Sequence, residues 1–204
     1  MNNDRKLHLT LLACLALILT WSIISPHDYF TWALEVAPAL IGVGVLAFFY
    51  NRFRFTNLVY ILVFFHCVIL IVGGKYTYAE MPLFNWIRDT FGQARNNYDK
   101  VGHFAQGFFP AIVIREVLIR NKVVQRGGWL FFIVACIALA FSALYEFIEW
   151  WVSLIVGSRG DSFLGTQGYI WDTQSDMFLA LLGAIVSQLI FSKLHDRALS
   201  KYEN

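Results

Sequence analysis

The sequence predicts an all-α, polytopic membrane protein, a bundle of six transmembrane helices forming one integral membrane domain over residues 1–204. Two observations carry this reading. The chain is 58% hydrophobic and only 15% charged over its 204 residues, with a mean hydropathy of +0.56, outside the range of a soluble domain. Its apolar residues gather into runs of about 20, the length that crosses about 30 Å of hydrocarbon. These runs fall at approximately 7–25, 30–50, 55–73, 99–119, 129–156 and 172–192. A net charge of +2 without a basic cluster excludes nucleic acid as a partner.

The first run follows Arg5 and Lys6, as a signal peptide would, but it extends from Leu7 to Ile24 with no A-x-A-like site after it. It is therefore expected to be an uncleaved span. In the second run, Glu35 and Pro38 mark either a polar site residue or the capped start of a kinked helix. His66 in the third run is expected to be a hydrogen-bonded packing residue. Cys14, Cys67 and Cys136 each sit mid-run without a CxxC pair or a neighbouring histidine, and read as small buried hydrophobes.

Two connections are long. Within 74–98, Leu83, Ile87 and Phe91 recur at helical spacing, which fits either a short helix on the membrane surface or a simple tether. Residues 157–171, GSRGDSFLGTQGYIW, are too glycine-rich for regular structure and read as a lid, ahead of a flexible turn.

Orientation follows from charge. Arg5 and Lys6, Arg52 and Arg54, Arg120, Lys122 and Arg126, and Lys193, Arg197 and Lys201 share one face if the N-terminus is cytoplasmic. The other face carries Lys75, Arg88, Arg95, Lys100 and Arg159, spread over longer loops. The positive-inside bias then places both termini in the cytoplasm, and it puts Trp21, Trp32, Trp86, Trp150, Trp151 and Trp171 at the outer boundary.

Three polar stripes converge in the outer half. In the fifth run, Ser142, Glu146, Glu149 and Ser153 lie at i, i+4, i+7 and i+11 on one helical face. A carboxylate within such a run costs roughly 2.5 to 3.5 kcal/mol on insertion scales, so the stripe must face protein or water. The fourth run repeats the spacing with Asp99, His103, Gln106 and Pro110. The sixth begins Asp172-Thr-Gln174-Ser-Asp176 and continues through Ala180, Gly183 and Ser187, small enough for close helix approach. Asp99 and Asp172 each also fit a helix N-cap. Arg115 and Glu116 lie toward the cytoplasmic end, where snorkelling accounts for Arg115 and neither receives a site role.

Asp99, Glu146, Glu149, Asp172 and Asp176 cannot all stay ionised together in a partly dry site. They must be protonated, paired with Lys100, Arg159 or charged His103, or bound to a cation. A divalent metal resolves the charge most directly. One imidazole among oxygens favours Mg²⁺, Mn²⁺, Ca²⁺ or iron over zinc. The expected ligands are His103, Glu146, Glu149, Asp172 and Asp176, with Asp99, Gln106 and Gln174 lining the site.

The segments YDKVGHFAQGF at 98–108, SALYEFIEWW at 142–151 and FLGTQGYIWDTQSDM at 163–177 resemble the YjdF family of bacterial inner-membrane proteins over essentially the whole chain. Asp99-Lys100 with His103, then Glu146, then Asp176 followed by small residues through Gly183, is more distantly similar to VanZ-like membrane proteins. The first resemblance implies a multi-span inner-membrane protein and supplies no reaction. The second implies a connection with the cell envelope or glycopeptide response, although Glu149 and the glycine-rich loop depart from its pattern.

The sequence thus leads to a metal-dependent enzyme acting on a membrane lipid or lipid-linked envelope substrate at the outer leaflet, with His103 or Glu146 as general acid or base. The alternatives are a proton- or cation-coupled transporter, or an accessory envelope protein without catalysis. A transporter needs polar groups continuing through the inner half of the bundle; in the sequence they thin out inward.

Overall fold

A computed structural model describes residues 3–157, 163 and 166–202. Its helices are α1 (Asn3–Ile23), α2 (Tyr29–Phe49), α3 (Asn57–Tyr76), α4 (Pro82–Phe91), α5 (Tyr98–Phe108), α6 (Pro110–Arg120), α7 (Gly128–Val156) and α8 (Asp172–Leu199). Short 3-10 turns occur at Tyr78–Glu80 and Ser200–Tyr202. Helices α1, α2, α3 and α7 and the segment Asp172–Tyr202 are each long and apolar enough to cross a membrane.

The run expected at 99–119 is divided instead into two helices of 11 residues each, α5 and α6. Proline supplies the reason. Pro110 has no N–H to offer the carbonyl of Gln106, so the ladder breaks at Phe109, whose own N–H still reaches Ala105 O at 3.1 Å. Pro110 then serves as the first residue of α6, where its missing donor is harmless.

Local signals set the other helix ends. Asp28 caps α2 by accepting from Thr31 N–H at 2.7 Å, and that bond holds its carboxyl below the usual carboxylate range. Asp99 and Asp172 are not caps; Asn97 and Trp171 occupy those positions, and both acids turn inward from the first turns of α5 and α8. The 74–98 segment forms a true helix, α4, rather than a tether. It ends at Gly92 in the left-handed conformation and leaves Leu83, Trp86 and Phe91 exposed along its length.

Helix α3 is central. It packs on α1 and α2 through Leu15, Val36, Ala39, Cys67 and Ile71, and on α6 through Val59, Leu62 and Ile112. The closest helix contact joins α5 to α8. A Cβ placed on Gly107 would collide with the carbonyl of Ala180, and one on Gly183 would collide with the backbone of Phe104 and Phe108. The small residues expected to permit close approach do so here.

The start of α1, the α2–α3 turn, the α6–α7 turn and the end of α8 meet at one end of the bundle. His8 bonds to Tyr50, Arg120 to the carbonyl of Arg54, and Tyr202 to the carbonyl of Phe55. Two expectations fail in detail. Only Cys67 is buried, while Cys14 and Cys136 are exposed on their helices, because α1 and α7 flank the bundle. Trp32 gives its indole N–H to Ser22 Oγ at 2.8 Å instead of leaving it for interfacial water.

Candidate functional site

The polar stripes of α5, α7 and α8 meet at the end of the bundle opposite the termini. Asp99, His103, Glu146, Glu149, Asp172 and Asp176 are all buried. His103 is the hub, with Nε2 3.4 Å from Asp99 Oδ1 and 3.9 Å from Asp176 Oδ2, and Nδ1 3.7 Å from Glu146 Oε1. Ligand atoms of Asp99, His103 and Asp176 lie within 4.8 Å of one another.

His103 Nδ1 is 3.1 Å from Gln106 Oε1, an oxygen that can only accept. A proton on Nδ1 serves Gln106, and Nε2 faces two carboxylates. Two carboxylates this close cannot both stay ionised beside a neutral ring. A cation or an added proton must satisfy them, and an imidazole oriented through its other nitrogen is how metal-bound histidines are held.

Two fixed cations neutralise part of the cluster. Arg95 binds Asp172 and lies 3.5 Å from Asp99. Lys100 Nζ is 2.8 Å from both Asp172 and Asp176, and it also donates to Ser175. Asp172 is thus engaged by an ion pair on each side, in a position to anchor α8 to α5 rather than to face His103. Gln174 is exposed and lies away from the cavity. Arg159 lies outside the described residues.

A cavity of about 60 Å³ opens beside His103, room for a few water molecules at about 10–15 Å³ each. Asp99, His103, Gln106 and Glu149 line it together with Glu35 and Tyr78. Glu35 therefore joins the site from α2, although the sequence left it equally suited to capping. Tyr78 reaches in from the turn after α3; burial first, then Tyr145 and Glu35, push its hydroxyl well above the usual phenol range, so it stays a donor. His66 also lines the cavity, stacked on Phe109 at 5.9 Å, with a buried Nε2 that has no hydrogen-bond partner among the described residues.

Described residues of the glycine-rich segment reach the cavity wall and the loop before α5. Phe163 is buried in its wall, 6.3 Å from the ring of Tyr145. Gln167 clamps the backbone of Asn96 from both sides, at 3.0 and 2.9 Å, and Arg95 donates to Thr166 O at 3.1 Å. Arg95 and Tyr78 carried no sequence signal: each lies in a loop, and only the fold brings it inward.

A second polar cluster lies at the other end, where none was expected. Glu116 accepts from Thr56 N–H at 3.0 Å, Thr56 Oγ1 at 2.7 Å and Arg120 at 2.9 Å, and it lies 3.0 Å from His195 Nε2. Arg115 does not snorkel: it is buried, 2.8 Å from His195 Nδ1 and 2.8 Å from Asp196. Because arginine only donates, His195 Nδ1 accepts and its Nε2 carries the proton given to Glu116. Between the two clusters stand the tight Gly107–Ala180 and Gly183–Phe104 contacts, with Ala111 and Ala184 fully buried beyond them.

Fold and site define a helical, multi-pass membrane protein with a buried acid–histidine cluster near one end. The chain belongs to the family described as predicted membrane protein (DUF2238), whose profile matches residues 7–197. It is 48% identical over 188 residues to inner membrane protein YjdF of Escherichia coli (strain K12), covering 92% of this chain and 90% of that protein. No solved structure matches.

Proposed function

We propose that this inner-membrane protein is a metal-dependent enzyme acting on a lipid or lipid-linked envelope substrate from the outer leaflet. The carrying observation is His103 Nε2 set against Asp99 and Asp176 in a buried triad beside a small cavity. Those three residues would hold a divalent ion, which supplies Lewis acidity and an activated water. Glu146, whose buried Oε1 has no hydrogen-bond partner among the described residues, and Glu149 on the cavity wall are placed to carry protons. In this reading α5 and α6 together make one crossing, giving six, with both termini in the cytoplasm, the side that the gathered basic residues favour.

A coupled transporter draws support from the second cluster of Glu116, His195 and Arg115, but its two polar zones would have to communicate. The backbone contacts of Gly107 and Gly183 close the α5–α8 seam between them, which favours a site working from one side. Melting in detergent across Mg²⁺, Mn²⁺, Ca²⁺, Fe²⁺ and Zn²⁺ tests the reading. One ion should raise the melting temperature of the wild type, since binding only the folded state adds about 2.7 kcal/mol at a hundredfold excess over Kd. Silence across all five ions moves the transporter ahead.

A further inference from the structure

We propose that the wedge between α1 and α2 is a site for one acyl chain of an anionic glycerophospholipid, with its headgroup held at Arg5. Both helices pack on α3 rather than on each other. They are pinned toward the far end, where Trp32 donates to Ser22 Oγ at 2.8 Å and Ser22 donates to Ile71 O at 2.9 Å. The end that holds the N-terminus opens into a cavity of about 350 Å³. Leu12, Leu46, Val63 and Phe64 line its depth, and Leu15 and Cys67 of the core close its floor. From His8 to Leu15 the depth is about 10 Å at roughly 1.5 Å per residue.

Protein interiors seldom keep apolar voids of this size empty, and this one opens toward the bilayer, whose chains match its lining. The mouth is polar and cationic. Arg5 belongs to the lining, which contains no carboxylate, and the Arg54 guanidinium lies 4.7 Å from the centre of the Tyr50 ring beside it. The neighbouring acid, Asp4, is engaged by Asn57 Nδ2 at 2.7 Å. His8 is engaged as well, 2.8 Å from Tyr50 Oη and 2.9 Å from Asn57 Oδ1. The guanidinium of Arg5 and the amide of Asn51 are donors at the mouth, and the lining adds Tyr60 Oη, buried without a hydrogen-bond partner among the described residues; together they suit a phosphate-bearing, anionic head. This site is independent of the enzyme reading and shares no residue with the outer cavity.

Native mass spectrometry of the delipidated full chain, titrated in detergent with dioleoyl phosphatidylglycerol or dioleoyl phosphatidylcholine, tests it. One phosphatidylglycerol should be retained at concentrations that leave phosphatidylcholine unbound. Arg5→Gln should weaken that retention about fivefold, the equivalent of about 1 kcal/mol for one basic group at an anionic lipid surface. Leu46→Trp, which fills the cavity, should abolish it, whereas Leu17→Trp on the exposed face of α1 should leave it intact. Equal retention of the two lipids, unchanged binding in Arg5→Gln, or a loss that Leu17→Trp reproduces would each overturn the proposal.

Discussion

Replacing Glu116 by alanine should be among the most damaging single changes in this protein, although it touches nothing in the outer cavity. The carboxylate is fully buried and accepts four hydrogen bonds, from two groups of Thr56, from Arg120 and from His195. It thereby ties the start of α3 to α6 and α8. Alanine would leave the Thr56 donors and His195 Nε2–H buried without an acceptor and would strip Arg120 of its partner. Breaking a buried charged network from one side costs about 3–5 kcal/mol. The neighbouring Asp196 is the internal control. It accepts from Arg115 and Arg126, but its side chain is 37% exposed, so water takes part of its place and Asp196→Ala should cost less, about 1.5–3 kcal/mol. Unfolding in mixed micelles at increasing SDS fraction, followed by tryptophan fluorescence, measures both. A Glu116→Ala protein within about 1 kcal/mol of wild type, or an Asp196→Ala protein equally destabilised, would refute the reasoning.

Other outcomes follow from the same geometry. Gly107→Ala should destabilise by roughly 1–3 kcal/mol, because its Cβ meets the backbone of Ala180, while Gly44→Ala, with nothing within 4 Å, should be neutral or mildly stabilising in the same unfolding assay. Asp28→Ala should cost about 1 kcal/mol by removing the α2 cap. Since the folded-state pKa of Asp28 is lowered, that contribution is full above its unfolded value and fades as pH falls through the folded one. The difference between wild type and Asp28→Ala should therefore shrink in acid and hold steady above it. Reporter fusions should give cytoplasmic signals at residues 53 and 123 and an external signal near 90; the reverse pattern would invert the proposed orientation.

Much of the fold was legible because a membrane imposes a length on each apolar run, and α1, α2, α3 and α7 lie within a few residues of the expected runs. The acid stripes of α5, α7 and α8 were legible for a related reason: helical spacing fixes which residues share a face, and lipid forbids that face to be exposed. What the pattern could not carry was contact between elements distant in sequence. Arg95 precedes α5 in a loop and meets Asp172 only because Gln167 fastens the later loop to Asn96. Glu35 looked equally suited to a cap until Asp28 filled that role. The cluster around Glu116 was missed because Arg115 at a helix end has a ready explanation in snorkelling, and periodicity within one helix says nothing of Thr56 or His195.

The central claim is that Asp99, His103 and Asp176 hold a divalent ion beside a proton-carrying Glu146. Elemental analysis of purified, detergent-solubilised protein tests it most directly, with His103→Ala, Asp176→Asn and Glu116→Gln prepared in parallel. The account predicts about one ion per chain in the wild type and in Glu116→Gln, whose change lies in the other cluster, and loss of that ion from His103→Ala and Asp176→Asn while both remain folded. A wild type that carries no stoichiometric metal after reconstitution with each candidate ion would contradict it, as would an ion that His103→Ala retains.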